Sequence, residues 1–128
     1  MSVSPKRVQA NKKGSWAENF AALYFLSKGY KILKRRYKTK GGEIDLVLHK
    51  KDMLVFVEVK ARKTIEEALH AIHAKNRARI EAAAGQFISD NKEYAKLDMR
   101  LDAFCIALDK SIVPMKFVHL DNAWLSGA

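Results

Sequence analysis

Between Gly42 and Lys60 the chain sets four charged side chains into two runs of β-branched and aliphatic residues, and no other stretch restricts the fold as tightly. Ile44 to Leu48 and Met53 to Val59 flank a polar tip of Lys50, Lys51 and Asp52, which is the pattern of a β-hairpin. Residues two apart on a strand share a face, so Glu43 points with Asp45 and Glu58 points with Lys60. With Lys51-Asp52 as a two-residue turn, counting outward sets Asp45 opposite Glu58 and Glu43 opposite Lys60. Like charges opposed in a sheet are destabilising, so a positive charge is expected between Asp45 and Glu58. A divalent metal leads the candidates.

The remaining chain predicts one mixed α/β domain. A length of 128 residues suits a single core, and a hydrophobic fraction of 48% argues against disorder. Residues 1–13 carry Lys6, Arg7, Lys12 and Lys13 with no acid and read as a flexible basic arm ahead of a domain over 14–128. Gly14 and Ser15 announce a helix over about Trp16–Lys28. Trp16, Phe20, Leu23 and Tyr24 form one apolar face, and alanines, Phe25 and Leu26 cover most of the rest, so it reads as a buried helix. Glu18 stands out within it. Ser15-x-x-Glu18 fits a capping box, and on spacing alone capping leads over a catalytic role.

Tyr30–Lys38 reads as a base-rich edge strand and Ile65–Ser89 as a helical region whose core face is Ile80, Ala83, Ala84, Phe87 and Ile88. Asp98–Leu108 is a strand covered on both sides, with Cys105 as core. Pro114 marks a last edge strand, and Trp124 is expected against the core. Order and content give a mixed sheet flanked by helices.

Charge narrows the partner. Lys and Arg number 24 against 14 acids, a net charge of +10, which points to a polyanion, with nucleic acid ahead of an anionic membrane. A single cysteine excludes an internal disulfide and a Cys-based zinc site. The absence of a long apolar run or an apolar leader predicts a cytoplasmic protein. No nucleotide-binding glycine loop or serine-nucleophile motif occurs, and His70-x-x-His73 lacks a third zinc ligand nearby.

What survives is Asp45 with Glu58-Val59-Lys60. Two carboxylates on adjacent strands offer hard oxygen ligands suited to Mg²⁺ or Mn²⁺, and Lys60 adds a cation on the face of Glu58. The alternative is a cross-strand ion network in which Lys60 pairs with Glu43 or Glu58.

These residues, Asp45 followed by Glu58-x-Lys60, resemble the core motif of the PD-(D/E)xK nuclease superfamily. More closely, Gly42-Glu43-Ile44-Asp45-Leu46 with Val55-Phe56-Val57-Glu58-Val59-Lys60-x-Arg62 resembles the YraN/UPF0102 family of predicted endonucleases. The likeness runs from Ala17-Glu18 through Arg100-Leu101-Asp102 to the tail. It implies a restriction endonuclease-like αβββαβ core and a metal-dependent endonuclease acting on DNA, branched or damaged DNA included. It implies Mg²⁺ or Mn²⁺ on Asp45 and Glu58, completed by Glu18, with Lys60 assisting the nucleophile. Glu18 is thereby moved from cap to site, and Glu43 becomes a flanking residue. Arg35, Arg36, Lys38, Arg62, Lys75 and Arg79 are the candidate phosphate contacts, and a homodimer follows by analogy with junction-cutting relatives. The sequence departs from the pattern at Ile44, where a proline is usual, at Arg35-Arg36, and at Thr64–Ala68, which replaces a glycine-rich loop. The alternative function is a nucleic-acid-binding protein with a nuclease fold and no cleavage activity.

Overall fold

The computed structural model describes residues 5–75, 77–110 and 114–123, with side chains from Trp16 onward. Helix α1 (Pro5–Ser27) leads into strands β1 (Lys31–Lys38), β2 (Glu43–Lys50) and β3 (Met53–Arg62). Helices α2 (Ile65–His73) and α3 (Arg77–Asp90) follow, then a 3₁₀ turn at Lys92–Tyr94 and strands β4 (Asp98–Leu108) and β5 (Pro114–Leu120). The five strands form one sheet in the order β1-β2-β3-β4-β5, antiparallel except for the parallel β3–β4 pair. Parallel neighbours need a long crossover, which α2 and α3 supply. The sheet is mixed, its helices lie on both faces, and the element order is the expected αβββαβ with the second helix divided in two.

Several expectations need correcting. α1 begins at Pro5, not Trp16, so residues 5–13, expected as an arm, have helical backbone, while Met1–Ser4 and Trp124 lie outside the described residues. Ser15 therefore falls inside the helix, where it cannot act as the N-cap for Glu18. A capping interaction does exist, but at α2, where Thr64 Oγ1 accepts from Glu67 N at 3.0 Å. Nor is α1 buried all round. Its core face is Ala17, Ala21, Ala22 and Phe25, whereas Leu23 and Leu26 are 68% and 53% exposed. Alanine lets the helix axis lie close to the sheet, and the larger Phe20 and Tyr24 are pushed to the flank, where both meet Phe117 of β5.

The two faces of β3 and β4 separate two apolar clusters. Val55, Val57, Phe104 and Ile106 pack under α1 with Phe25. Leu54, Phe56, Ala103 and Cys105 pack under α2 and α3 with Ala68, Ile72, Ile80, Ala83 and Phe87. Cys105 is fully buried, as expected, and burial pushes its thiol up to about 11.

One buried carboxylate ties the α1 face to the far edge. Asp102, fully buried, accepts from Arg100 Nε and Nη2 at 2.8 and 2.9 Å, from Asn122 N at 3.1 Å, and lies 2.7 Å from His119 Nε2. Arg100 also reaches the Tyr30 hydroxyl, and His119 Nδ1 lies 3.1 Å from the Tyr24 hydroxyl.

The β1–β2 connection is clamped against α3. Gly42 is buried, and a Cβ built on it would stand 1.8 Å from the Arg79 carbonyl oxygen. Backbone cannot yield as a side-chain tip can. Gly42→Ala is therefore expected to cost about 1–3 kcal/mol by overpacking, read as a lower urea midpoint, because α3 and the hairpin base must part. An unchanged midpoint would show that the contact is slack.

Candidate active site

The hairpin register is the expected one, with Lys50 opposite Met53 and Leu46 opposite Val57. The regular pairing ends there, one position short of Asp45 and Glu58. Two opposed carboxylates would repel, and each is instead turned toward backbone N–H of the other strand. Asp45 Oδ2 accepts from Val59 N at 2.7 Å, and Asp45 N donates to Glu58 Oε1 at 3.4 Å. The acids are held beside one another where the two strands stop pairing.

Glu58 is 1% exposed. Burial, then the nearby charge of Asp45, push its carboxyl up from 4.5 to about 7, against the opposing pull of Lys75. The cation required by the charge pattern is Lys75, whose Nζ bonds Glu58 Oε2. Burial pulls the Lys75 ammonium down, but attraction to Glu58, Asp45 and Glu43 outweighs it and leaves it raised. Lys75 follows α2, with its backbone N donating to Ile72 O at 3.1 Å. The sequence makes it a candidate phosphate contact. Here it neutralises a carboxylate.

Glu18 arrives from the α1 face and meets a different cation. Arg36 Nε lies 2.9 and 3.0 Å from the two Glu18 oxygens. Arg36 has φ +51°, a left-handed backbone that non-glycine residues rarely adopt. Next to it, Arg35 Nη2 bonds Asn19 Oδ1, so consecutive arginines both engage α1. The Glu18 bond raises the Arg36 guanidinium further, with a smaller contribution from Asp45, so Arg36 lies in the field of both acids. Neither Arg36 as Glu18's partner nor Lys75 as Glu58's was found from sequence. Only the expectation of a cation at the hairpin foreshadowed them.

The other candidates are dispersed. Lys60 shares a strand face with Glu58 and makes no hydrogen bond or ion pair among the described residues, so the alternative, a Lys60 pair with Glu43 or Glu58, is not formed. Lys38 stands opposite Glu43 across β1–β2 and is exposed, as is Arg79. Arg62 Nη1 donates to the Ala61 carbonyl at 2.8 Å. A cavity of about 380 Å³ between α3 and the start of β4 is lined by Phe56, Arg77, Glu81, Arg100 and others, but none of the candidate carboxylates borders it.

Asp45 and Glu58 suit a hard divalent cation chemically. They are adjacent carboxylates, and burial and then the charge of Asp45 keep Glu58 raised even with Lys75 bound. Asp45 Oδ1 has no hydrogen-bond partner among the described residues. Glu18 is not drawn in with them. Among the described residues, no three Asp, Glu, His or Cys side chains are grouped so as to hold a metal.

A family model described as "Uncharacterised protein family UPF0102" matches residues 17–106, which span α1 to β4 and include every residue of the site. A UPF0102 protein of Mesorhizobium japonicum is 41% identical over 122 residues, covering 94% of this chain and 93% of its own. Similar proteins of Bradyrhizobium diazoefficiens and Rhodopseudomonas palustris (strain HaA2) are each 42% identical, covering 82% and 81% of this chain and 79% and 81% of theirs.

Proposed function

Because the chain belongs to the uncharacterised protein family UPF0102, whose name carries no activity, we propose a function from its site: a metal-dependent endonuclease of the PD-(D/E)xK type, hydrolysing phosphodiester bonds in DNA, branched or damaged DNA included. The observation that carries this reading is the buried Glu58 carboxylate, raised to about 7 beside Asp45. Buried carboxylates with strongly raised pKa values cluster where chemistry is done.

Asp45 and Glu58 would hold Mg²⁺ or Mn²⁺, with the Val59 carbonyl as a further oxygen. When bound, the metal supplies a Lewis acid for the phosphate and a more acidic water. Lys60 Nζ, free of partners among the described residues, donates to the water or to a non-bridging phosphate oxygen as negative charge develops there. The Arg36 guanidinium, 52% exposed, can donate to a phosphate in exchange for Glu18, leaving Glu18 free to orient a water or complete the shell. Arg35, Lys38, Arg62 and Arg79 extend the positive surface along which a backbone would lie, in a chain of net charge +10.

A second reading, a DNA-binding protein without cleavage activity, is favoured by two ion pairs. Glu58 already has a cation in Lys75, and Glu18 stands apart on Arg36.

Labelled duplex, flap and four-way-junction DNA incubated with Mg²⁺ or Mn²⁺ distinguishes the two. The nuclease reading expects product only with metal, and binding without product supports the second. Both expect affinity to fall with salt. If about five cations meet phosphates, raising salt from about 50 to 200 mM weakens binding roughly 500-fold. A flat response would remove DNA from either reading.

No described helix is long and apolar enough to cross a membrane.

A further inference from the structure

We propose that Lys75 is a resident counter-ion that holds the Asp45–Glu58 pair ready in the absence of metal and is displaced when a divalent cation binds. This rests on the nuclease reading of the same two carboxylates. It adds a role that neither the motif nor the family description gives to any residue.

Three observations carry it. Lys75 Nζ bonds Glu58 Oε2 directly, and it is also attracted to Asp45 and Glu43, the other two acids on β2 and β3. One ammonium thus supplies part of the positive charge that a metal ion would supply. The carboxylates and the ammonium also differ in how firmly they are held. Glu58 stands on a central strand with a side chain 2% exposed, whereas the Lys75 side chain is 26% exposed and leaves from the short link between α2 and α3. A lysine ammonium on a flexible four-carbon stem can move into solvent without disturbing strand pairing. Finally, Glu58 cannot simply stay charged and unpaired at this depth, so some cation must be present in every folded state in which it is ionised.

Displacement has a direction. A lysine driven off Glu58 remains beside the site as a free cation, where a substrate phosphate replaces the carboxylate as its partner. Metal and DNA would then favour each other's binding through one side chain.

The test uses the full chain stripped of metal. Mn²⁺ binding is measured by calorimetry for the wild type, Lys75→Met and Lys75→Gln. Removing the competing charge is expected to tighten Mn²⁺ binding at least about tenfold in both variants, with Lys75→Gln retaining a hydrogen-bond donor should Lys75→Met fold poorly. In the wild type, the ¹⁵N-lysine side-chain signal of the Glu58-bound Lys75 ammonium should disappear on adding diamagnetic Mg²⁺. Equal or weaker Mn²⁺ binding in the variants, or a Lys75 signal that persists at saturating Mg²⁺, overturns displacement and makes Lys75 a fixed tether, with the nuclease reading intact. Absence of Mn²⁺ binding in all three proteins overturns both.

Discussion

Asp45→Asn is expected to lower metal-dependent DNA cleavage on the order of 10³-fold while leaving a protein that is more stable than the wild type at neutral pH. The loss follows from removing one of two carboxylates that would hold the metal. The gain follows from Glu58. Its carboxyl is raised from 4.5 to about 7 by burial and then by Asp45. An acid whose folded pKa is raised favours folding while protonated, so this contribution is complete below about 4.5 and is lost as pH rises through about 7. The shift corresponds to about 3 kcal/mol at full ionisation. Asparagine can still accept the Val59 N–H but carries no charge, so Glu58 titrates lower and less stability is lost. Urea unfolding near pH 5 and near pH 8, in metal-free buffer, reads this directly. Wild type should weaken between the two, Glu58→Gln should not share that loss, and Asp45→Asn should show a smaller one. Wild-type cleavage rates in Asp45→Asn would sink the site assignment. An identical pH dependence in all three proteins would sink the electrostatic account.

Asp102→Ala is expected to cost about 3–5 kcal/mol and lower Tm by roughly 10–20 °C, without acting through the metal site. Asp102 is fully buried and makes four polar contacts with three residues: two Arg100 nitrogens, His119 Nε2 and the Asn122 amide. Its deletion leaves the Arg100 guanidinium, itself raised by Asp102, partly buried without its partner. Burial acts to raise the Asp102 carboxyl, but bonds from His119, Arg100 and Asn122 outweigh it and hold it below its ordinary value of 3.8. A depressed carboxylate contributes stability above its unfolded pKa and loses it as pH falls, so wild type should weaken below about pH 4 where Asp102→Ala is already weak. Thermal melts across that range check the sign. A Tm loss of under about 3 °C would mean that α1 and β5 are anchored by their aromatic contacts alone.

Much of the fold was readable because it follows local rules. The alternation of Asp98–Leu108 gave a doubly covered strand, and the structure buries both its faces. The 3.6-residue spacing of Ile80, Ala83, Ala84 and Phe87 gave a helix face, and all four are buried. The hairpin register followed from a two-residue turn at Lys51, whose left-handed φ of +53° is the local kink the turn requires. α1 was misread for an equally local reason. Gly14-Ser15 looks like a start signal, yet the helix continues through it.

The candidate site divides along the same line. Sequence alone determined that Asp45 and Glu58 would oppose each other at the end of one hairpin and that a cation would have to answer them, because strand period and turn length leave no freedom in that pairing. Which cation answers was decided by tertiary structure. Lys75 and Arg36 reach their acids across 17 and 18 residues of chain, through the path of α2 against β3 and β4 and a left-handed residue within β1. Periodicity carries no record of such separations. Burial decided the rest, since only the packed interior around Glu58 makes its charge costly enough to require a partner.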